Sequence, residues 1–198
     1  MPYLVVKRSL DIALAVAGLV VLSPVLALIA IAVRIDSPGL ALFRHERIGV
    51  RGQKFRPLKF RSMTHGAAGT EVTAAGDSWI SRVGSILRRT KLDELPQLWN
   101  VLVGEMSLVG PRPEVESYVR LFESDYREIL EVRPGLTDFA AIEYRDEERV
   151  LAAAADPELE YRRVVLPAKI ALYRRYLAER STITDLRILA RTLVAILR

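Results

Sequence analysis

Cysteine is missing from this chain of 198 residues, and its absence excludes several kinds of chemistry. Without a thiol there is no disulfide framework, no thiolate nucleophile and no zinc site with cysteine ligands. Histidine is scarce as well, because His45 and His65 are the only two and lie 20 residues apart. No spacing supports a metal site between them, so carboxylates, lysines and arginines are the residues to search for chemistry.

Charge is scarce in the first 35 residues, which contain the only long apolar run. Between Leu10 and Val33 the one charged residue is Asp11. These 24 residues would make about 36 Å of helix, against about 30 Å of bilayer hydrocarbon. The run is too long for the apolar region of a signal peptide, and small residues typical of a cleavage site do not end it. It therefore predicts a permanent membrane segment.

A serine–proline pair interrupts this run. A proline inside a helix costs about 3 kcal/mol and frees a carbonyl group, yet many spanning helices tolerate such a kink. Ser23 and Pro24 also have the pattern of an N-cap and a first helical residue. That pattern gives helices of about 14 and 12 residues, roughly 21 and 18 Å long, neither of which spans alone. Cations at both ends, Lys7 and Arg8 before the run and Arg34 after it, suit two cytoplasmic ends. On the residues alone a kinked spanning helix is the first expectation, and a re-entrant pair remains open.

A boundary with turn residues, DSPGL, divides the chain into a membrane unit at residues 1–38 and a domain at residues 39–198. Short alternating runs around Gly49–Gly52 predict a β-hairpin. In its second half Lys59 and Arg61 fall on one face, because strand side chains alternate.

Helical patterns dominate after Trp79, so we expect an α+β fold that is mainly helical. Residues 64–78 are small and polar, which predicts a loop, and Pro167 predicts a kink in a later helix. The last helix has capping-box spacing at Thr182 and Asp185. Its leucines share one face and its arginines lie away from that face. A helix on the membrane surface and a terminal helix packed on the core fit this pattern equally well.

The net charge of +5 suits anionic lipid, nucleic acid or a phosphorylated small molecule. The chain has no helix-turn-helix, zinc-finger or RNA-binding sheet pattern, so nucleic acid is not an expected partner. Beside a membrane segment, attraction to the phospholipid bilayer is the simplest explanation of the charge.

The segment Arg88–Glu114, RRTKLDELPQLWNVLVGEMSLVGPRPE, concentrates acids and cations. Asp93 and Glu94 are expected in a helix's first turn, because Thr90 and Asp93 have capping-box spacing and Pro96 suits only a helix start. In the simplest interpretation the two acids only offset the helix dipole. In a catalytic interpretation they divide roles, because adjacent helical side chains point about 100° apart. One would attack or bind metal, and the other would orient groups or transfer protons.

A carboxylate can attack phosphorus only where the phosphate charge is offset, and Mg²⁺ and arginines supply that offset. Arg88 and Arg89 precede the acids, and Arg112 lies between two prolines that stiffen its backbone for a bidentate phosphate contact. Lys59 and Arg61 could add charge from the hairpin. The alternatives are a surface turn for Arg112 and a solvated strand face for Lys59 and Arg61.

Four stretches together resemble the bacterial sugar transferases known as monotopic phosphoglycosyl transferases. They are KRSLDIALA…LSP, FRPLKFRSM, LDELPQLWNVLVGEMSLVGPRPE and VRPGLTDFA; they stand in family order, cover nearly the whole chain, and the third is highly specific. The length resembles the minimal catalytic unit, without the added membrane domain of larger members. The resemblance implies a re-entrant membrane hairpin that turns at Ser23 and Pro24, followed by a small β-hairpin, interfacial amphipathic helices and a catalytic domain at the membrane surface.

The resemblance also implies a two-step reaction at the cytoplasmic face of the bacterial inner membrane. Asp93 would attack the β-phosphate of a nucleoside diphosphate sugar, typically a UDP-sugar, and UMP would leave. The phosphate of a polyprenol, typically undecaprenol, would then take the phosphosugar from Asp93. Mg²⁺ would bind at Asp93 and the diphosphate, and Glu94 would orient groups or handle a proton. Lys59, Arg88 and Arg112 would contact the phosphates.

The chain departs from the resemblance in places. Many members read PGITGW where this chain has Asp138 and Phe139, and AAIEYRDEERV differs from the shorter form typical of many relatives. Some relatives carry an acid where Tyr173 stands; Asp185 matches that region better, although a helix cap is its favoured explanation. The competing hypothesis is a membrane-anchored, non-enzymatic basic module that binds anionic lipid or a protein partner. The sugar, the glycan pathway and the formation of a homodimer are left open.

Overall fold

The computed structural model describes residues 2–64 and 79–197, so the loop predicted at residues 64–78 lies outside the described residues except for Thr64. The helices of the first half are α1 (Pro2–Val21), α2 (Ser23–Asp36), α3 (Arg82–Thr90), a 3₁₀ helix (Leu92–Gln97) and α4 (Leu98–Val103). Those of the second half are α5 (Glu116–Leu121), α6 (Glu123–Ile129), α7 (Phe139–Glu143), α8 (Glu147–Ala152), α9 (Pro157–Glu160), α10 (Leu166–Glu179) and α11 (Thr182–Leu197). The strands are β1 (Leu42–Arg44), β2 (Arg47–Ile48), β3 (Lys54–Phe55), β4 (Leu58–Phe60), β5 (Ser107–Val109) and β6 (Gly135–Thr137). The predicted α+β, mainly helical fold is confirmed.

The first two helices form a bent pair. Among residues 2–64 and 79–197 no single helix is long and apolar enough to cross a bilayer, whereas α1 and α2 pass that test together across a bend of 62°. The observed helices contain 20 and 14 residues. The larger difference from the prediction is in α1, which already begins at Pro2.

Ser23 and Pro24 lie at this bend, but Ser23 is not the N-cap that we predicted. The N-cap of α2 is Leu22, and no side chain caps the helix there. Instead the Ser23 hydroxyl donates a hydrogen bond of 2.8 Å to the carbonyl oxygen of Val20. That oxygen lies four residues before Pro24, which has no N–H to donate to it. The serine therefore supplies the hydrogen bond that the proline removes.

Charged residues of α1 bind the rest of the protein. Arg8 donates to two carbonyl oxygens at the end of α4, at 2.7 and 2.9 Å. Asp11 is buried and accepts hydrogen bonds from the Ser107 hydroxyl at 2.8 Å and the Leu108 N–H at 3.1 Å. The charges that break the apolar pattern of α1 therefore fix this helix to α4 and β5.

The predicted hairpin is confirmed. Antiparallel pairs β1–β4 and β2–β3 nest around a 3₁₀ turn at Val50–Gly52. The prediction that Lys59 and Arg61 both add charge to the site is wrong for Arg61, however. Arg61 is buried and donates to the carbonyl oxygens of Ser37 and Pro38, at 2.6 and 2.8 Å. It thus holds the chain that leaves α2, because these carbonyls no longer have partners inside the helix.

A second, parallel pair joins β5 to β6, with Ser107 opposite Gly135. Gly135 lies so close to the neighbouring chain that an added Cβ would be 2.1 Å from the backbone nitrogen of Gly110. Only glycine fits at such a contact. This close crossing fixes the start of the loop that continues β5 through Pro111 and Arg112.

The two later helices also differ in detail from the prediction. A π-helical turn at Tyr161–Val165 leads into α10, whose first turn contains Pro167; the predicted irregularity therefore precedes the proline. The capping box at Thr182 and Asp185 is wrong, because the Ser181 hydroxyl accepts the hydrogen bond from the Thr184 N–H at 3.1 Å. The leucines of α11 are partly outside the core: Leu186 and Leu193 are exposed, and Ile188 is fully buried instead.

Candidate active site

Four elements bring the predicted site residues to one place. The 3₁₀ helix carries Asp93 and Glu94 in its first turn, as the sequence predicts. β4 contributes Lys59, the loop after β5 contributes Arg112, and the last turn of α3 contributes Arg88.

The predicted capping box at Thr90 and Asp93 is wrong. The Thr90 hydroxyl donates back to the carbonyl oxygen of Ile86 at 2.8 Å and therefore belongs to the end of α3. Lys91 then adopts a left-handed conformation with φ of 58°, and its N–H bonds back to the last turn of α3. A left-handed residue commonly ends a helix, although glycine is usual there. The sharp turn lets the next residues begin a new helix with the acid pair at its start.

Glu94 joins the two cations from the other elements. One of its oxygens, Oε1, accepts from Lys59 Nζ at 2.7 Å and from Arg112 Nη2 at 2.6 Å, and Oε2 accepts from Arg112 Nη1 at 3.2 Å. Burial alone would raise the pKa of Glu94, but the charges and hydrogen bonds of Arg112 and Lys59 outweigh it and hold that pKa well below its usual range. Glu94 is therefore a fixed anion that orients two cations.

Asp93 has a different environment. Its side chain is buried, and its Oδ1 atom has no hydrogen-bond partner among residues 2–64 and 79–197. Burial, together with the negative charge of Glu94, raises the pKa of Asp93 to about 6, against the opposing positive charges of Lys59, Arg88 and Lys91. Buried carboxylate oxygens are normally hydrogen-bonded. An unpaired one beside three cations is suited to attack, or to coordination of a metal ion.

Arg88 is held by a residue from the later part of the chain. Its Nε and Nη2 atoms donate to one oxygen of Glu148, at 3.1 and 2.7 Å. Its remaining nitrogen, Nη1, lies 3.4 Å from the hydroxyl oxygen of Ser62. Arg88 therefore lies at the site, near enough for its charge to act on Asp93, but its hydrogen bonds go to Glu148 and Ser62 and not to Glu94.

Asn100 fixes the position of β4. Its side-chain oxygen accepts from the Leu58 N–H at 2.9 Å, and its side-chain nitrogen donates to Glu105 at 2.7 Å. This buried amide joins α4 to the strand residue directly before Lys59. The position of Lys59 thus depends on a residue whose role the sequence pattern did not indicate.

The site has few protein ligands for a metal ion. No group of three or more acids or histidines that could hold a metal occurs among residues 2–64 and 79–197, and both Glu94 oxygens already bind cations. Magnesium, however, is commonly bound by one or two carboxylates together with substrate phosphate oxygens. The unpaired Oδ1 of Asp93 fits that kind of site.

Comparison with known proteins decides the family. The sequence model of the bacterial sugar transferases matches residues 2–198. The chain belongs to the bacterial sugar transferase family. The resemblance inferred from the four motifs is thereby confirmed. The matched range includes every residue of the site just described.

Several sugar transferases are similar in sequence. A UDP-glucose:undecaprenyl-phosphate glucose-1-phosphate transferase of Escherichia coli is 44% identical over 145 residues, which cover 69% of this chain and 30% of that protein. The protein of that name from Caulobacter vibrioides is 43% identical over 69% of this chain and 53% of its own length. The exopolysaccharide production protein PSS of Rhizobium leguminosarum bv. phaseoli is 37% identical over 97% of this chain and 95% of its own length. The chain thus spans about a third to a half of some of these sugar transferases and nearly the whole of another.

Three residues in the regions where the chain departs from the common sugar transferase pattern are buried, and they bind other parts of the protein or lie in its core. Asp138 caps α7 by accepting from the Ala141 N–H at 2.6 Å, and burial raises its pKa to about 6. Tyr173 is fully buried, and its hydroxyl has no hydrogen-bond partner in the part of the chain that the structure describes. Asp185 binds Lys7 of α1 and Tyr176 of α10, both at 2.9 Å. The expected cap role of Asp185 is therefore wrong, because its carboxylate joins three helices instead.

Proposed function

We propose that the chain transfers a phosphosugar from a UDP-sugar to polyprenol phosphate, with UMP released. Membership of the bacterial sugar transferase family supports this, as do the activities for which the relatives from Escherichia coli and Caulobacter vibrioides are named. The observation that carries the proposal for this chain is the buried, unpaired oxygen of Asp93 beside Lys59, Arg88 and Lys91.

In the first step Asp93 Oδ1 attacks the β-phosphorus of the UDP-sugar. The new bond is an aspartyl–phosphate bond, and the bond from the β-phosphorus to the bridging oxygen breaks, so that oxygen leaves with UMP. Lys59, Arg88 and Arg112 bind the phosphate oxygens and offset their charge. Burial of Asp93 keeps water from its oxygen and makes the carboxylate a stronger nucleophile than it would be in solvent.

In the second step an oxygen of polyprenol phosphate attacks the same phosphorus. The aspartyl–phosphate bond breaks, Asp93 regains its carboxylate, and the product is a polyprenol diphosphate sugar. Glu94 orients Lys59 and Arg112 throughout. Its low pKa makes it a weak base, so of the two roles considered for Glu94, orientation is better supported than proton transfer.

Asp93 would hold Mg²⁺ together with the diphosphate. When bound, the ion would supply positive charge that stabilises the phosphate oxygens. The chain's own cations would then share that charge compensation, because the other acid of the pair, Glu94, has both oxygens bound to Lys59 and Arg112.

The re-entrant arrangement of α1 and α2 is part of the proposal. The start of α1 is tied to α4 and α11 by Arg8 and Lys7. The end of α2 is tied by Arg61, and by Asp36, which accepts from the Val83 N–H at 3.1 Å. Because both ends of the pair are attached to the same body, a bend that returns the chain to one face accounts for them more simply than a span does.

The exposed apolar side chains near the bend support insertion into lipid. They include Val20, Val21, Leu28 and Ile31, each more than half exposed. Burial of such surface in hydrocarbon is favourable, and the exposed leucines of α11 suit a helix at the interface. We place the protein on the cytoplasmic face of the bacterial inner membrane, where the UDP-sugar and the polyprenol phosphate meet.

Release of UMP tests the reaction. Purified protein with Mg²⁺, undecaprenyl phosphate and a panel of UDP-sugars is expected to release UMP with at least one sugar. Asp93→Asn is expected to abolish release while the protein stays folded, and Glu123→Gln, at an exposed acid, serves as the matched control. Turnover that survives in Asp93→Asn would refute the assignment of the nucleophile. Inactivity of the wild type with every sugar would favour the non-enzymatic, lipid-binding module.

Labelling of an N-terminal tag tests the membrane arrangement. The re-entrant arrangement predicts that the tag is accessible from the cytoplasm only, and that Ser23→Ala with Pro24→Ala shifts part of the population toward spanning. An N-terminus outside the cytoplasm in the wild type would contradict it.

A further inference from the structure

The contact between Arg88 and Glu148 joins the proposed phosphate site to a segment in which this chain departs from the common family pattern. Glu148 lies in the first turn of α8, within the stretch AAIEYRDEERV. One carboxylate oxygen receives two hydrogen bonds, from Nε at 3.1 Å and Nη2 at 2.7 Å. The two side chains are only 18% and 31% exposed, so the pair is shielded from much of the solvent.

The geometry leaves one edge of the guanidinium available. An arginine presents two forked edges, one through Nε and Nη2 and one through Nη1 and Nη2. Glu148 occupies the first edge. Within the described part of the chain, Nη1 makes only the long 3.4 Å contact with Ser62. Each terminal nitrogen carries two hydrogens. The second edge can therefore form a bidentate contact with a phosphate while Glu148 holds the first.

The carboxylate itself is held in place. The residue before it, Glu147, accepts from buried Lys169 of α10 at 3.0 Å. Leu151, one turn later in α8, is almost fully buried. Because Glu147 is ion-paired on one side of Glu148 and Leu151 is packed on the other, the helix that carries Glu148 is fixed, and Glu148 is an acceptor at a fixed position.

We propose that Glu148 is a positioning residue that holds the Arg88 guanidinium with its second edge toward the substrate diphosphate. A long arginine side chain loses considerable rotamer entropy when it is immobilised. Because Glu148 already immobilises Arg88 in the free protein, less of this entropy is lost when the substrate binds. The inference rests on the proposed function, because it needs Arg88 to contact the diphosphate.

Two substitutions separate the geometry of Glu148 from its charge. Glu148→Ala removes the acceptor, and we expect the affinity for UDP and the kcat/KM for UDP-sugar each to fall about tenfold, the size of one lost orienting hydrogen bond to a charged group. Glu148→Gln keeps an oxygen that accepts from both nitrogens, so we expect values within about threefold of wild type. The matched control is Glu179→Ala, which removes a similar carboxylate from Arg175 at an exposed pair.

A double-mutant cycle with Arg88→Ala tests whether the effect acts through Arg88. In that background we expect Glu148→Ala to change UDP affinity and kcat/KM by less than twofold. An equal tenfold loss with and without Arg88 would mean that Glu148 acts only on the packing of α8, and would overturn the proposal. Tighter UDP binding in Glu148→Ala and Glu148→Gln would overturn it in favour of competition between the carboxylate and the diphosphate.

Titration calorimetry with Mg²⁺ present measures the binding of UDP. This measurement does not depend on turnover, so it tests the role of Glu148 separately from the reaction. If the wild type binds UDP but releases no UMP, the proposed reaction fails, while the cycle on UDP affinity still decides the role of Glu148. If the wild type does not bind UDP, the positioning role is overturned too.

Discussion

Removal of the Asp11 carboxylate should destabilise the protein although Asp11 lies far along the sequence from every site residue. The carboxylate is 4% exposed and accepts from Ser107 Oγ at 2.8 Å and the Leu108 N–H at 3.1 Å. In Asp11→Ala the Ser107 hydroxyl keeps the Val109 carbonyl as an acceptor at 3.0 Å, but the Leu108 N–H loses the Asp11 carboxylate as its acceptor. A buried donor without a partner costs about 1–3 kcal/mol, and a lost bond to a charged group costs a similar amount. Partial relief of carboxylate desolvation leaves about 2–4 kcal/mol.

Thermal unfolding in detergent measures this cost. At about 2–4 °C per kcal/mol for a chain of this size, Asp11→Ala should lower Tm by roughly 4–16 °C. Asp11→Asn keeps one acceptor for the Leu108 N–H and should recover about half of the loss. Ser9→Ala, at an exposed position on the same helix, is the control. If Asp11→Ala unfolds within 2 °C of the control, the contact between α1 and β5 does not contribute as we reason.

Three further predictions follow from other contacts. Gly135→Ala should lower the free energy of unfolding by about 1–3 kcal/mol or more, because the new Cβ would lie 2.1 Å from the Gly110 backbone nitrogen. The control Gly18→Ala should cost less, because its Cβ would meet the end of a leucine side chain at 3.0 Å. Equal Tm values for the two variants would count against the close crossing. Burial raises the pKa of Asp138 from 3.8 to about 6, so the folded state binds this proton more tightly than the unfolded state does. The stability that the proton contributes, up to about 3 kcal/mol, is fully present below about pH 4 and is lost as the pH rises through 6. Asp138→Asn should remove that part of the fall in Tm between pH 4 and pH 7, and an unchanged pH profile would contradict the burial effect. Glu94→Gln should reduce UMP release at least tenfold while UDP still binds, because Lys59 and Arg112 lose the anion that orients them; wild-type turnover would remove Glu94 from the account.

Much of the fold was predictable because its causes are local. The hairpin follows from alternating apolar residues around two glycines, and its nested strand pairs are observed. The acid pair at a helix start follows from Pro96 and from the acids themselves. Local chemistry was less reliable for the caps: Ser23, Thr90 and Asp185 all have cap-like spacing, but each side chain bonds elsewhere.

The contacts that assemble the site were not predictable, because they join distant parts of the chain. The Arg88–Glu148 bond closes a loop of 60 residues, and the Lys7–Asp185 bond closes one of 178. No periodicity or spacing encodes such pairs. Asp11 did give a signal, as the only charge in an apolar run, but that signal indicated a buried partner without identifying Ser107 or Leu108. Strand alternation placed Arg61 on the same face as Lys59, but the Arg61 guanidinium instead donates hydrogen bonds to carbonyl oxygens just after α2.

The central claim is that Asp93 carries the phosphosugar between the two substrates. Mass spectrometry of protein incubated with the active UDP-sugar and Mg²⁺, but without polyprenol phosphate, tests it most directly. The account predicts one phosphosugar per chain, on the peptide that contains Asp93, and loss of this adduct when polyprenol phosphate is added. UMP release that requires both substrates together, with no adduct on Asp93, would contradict it.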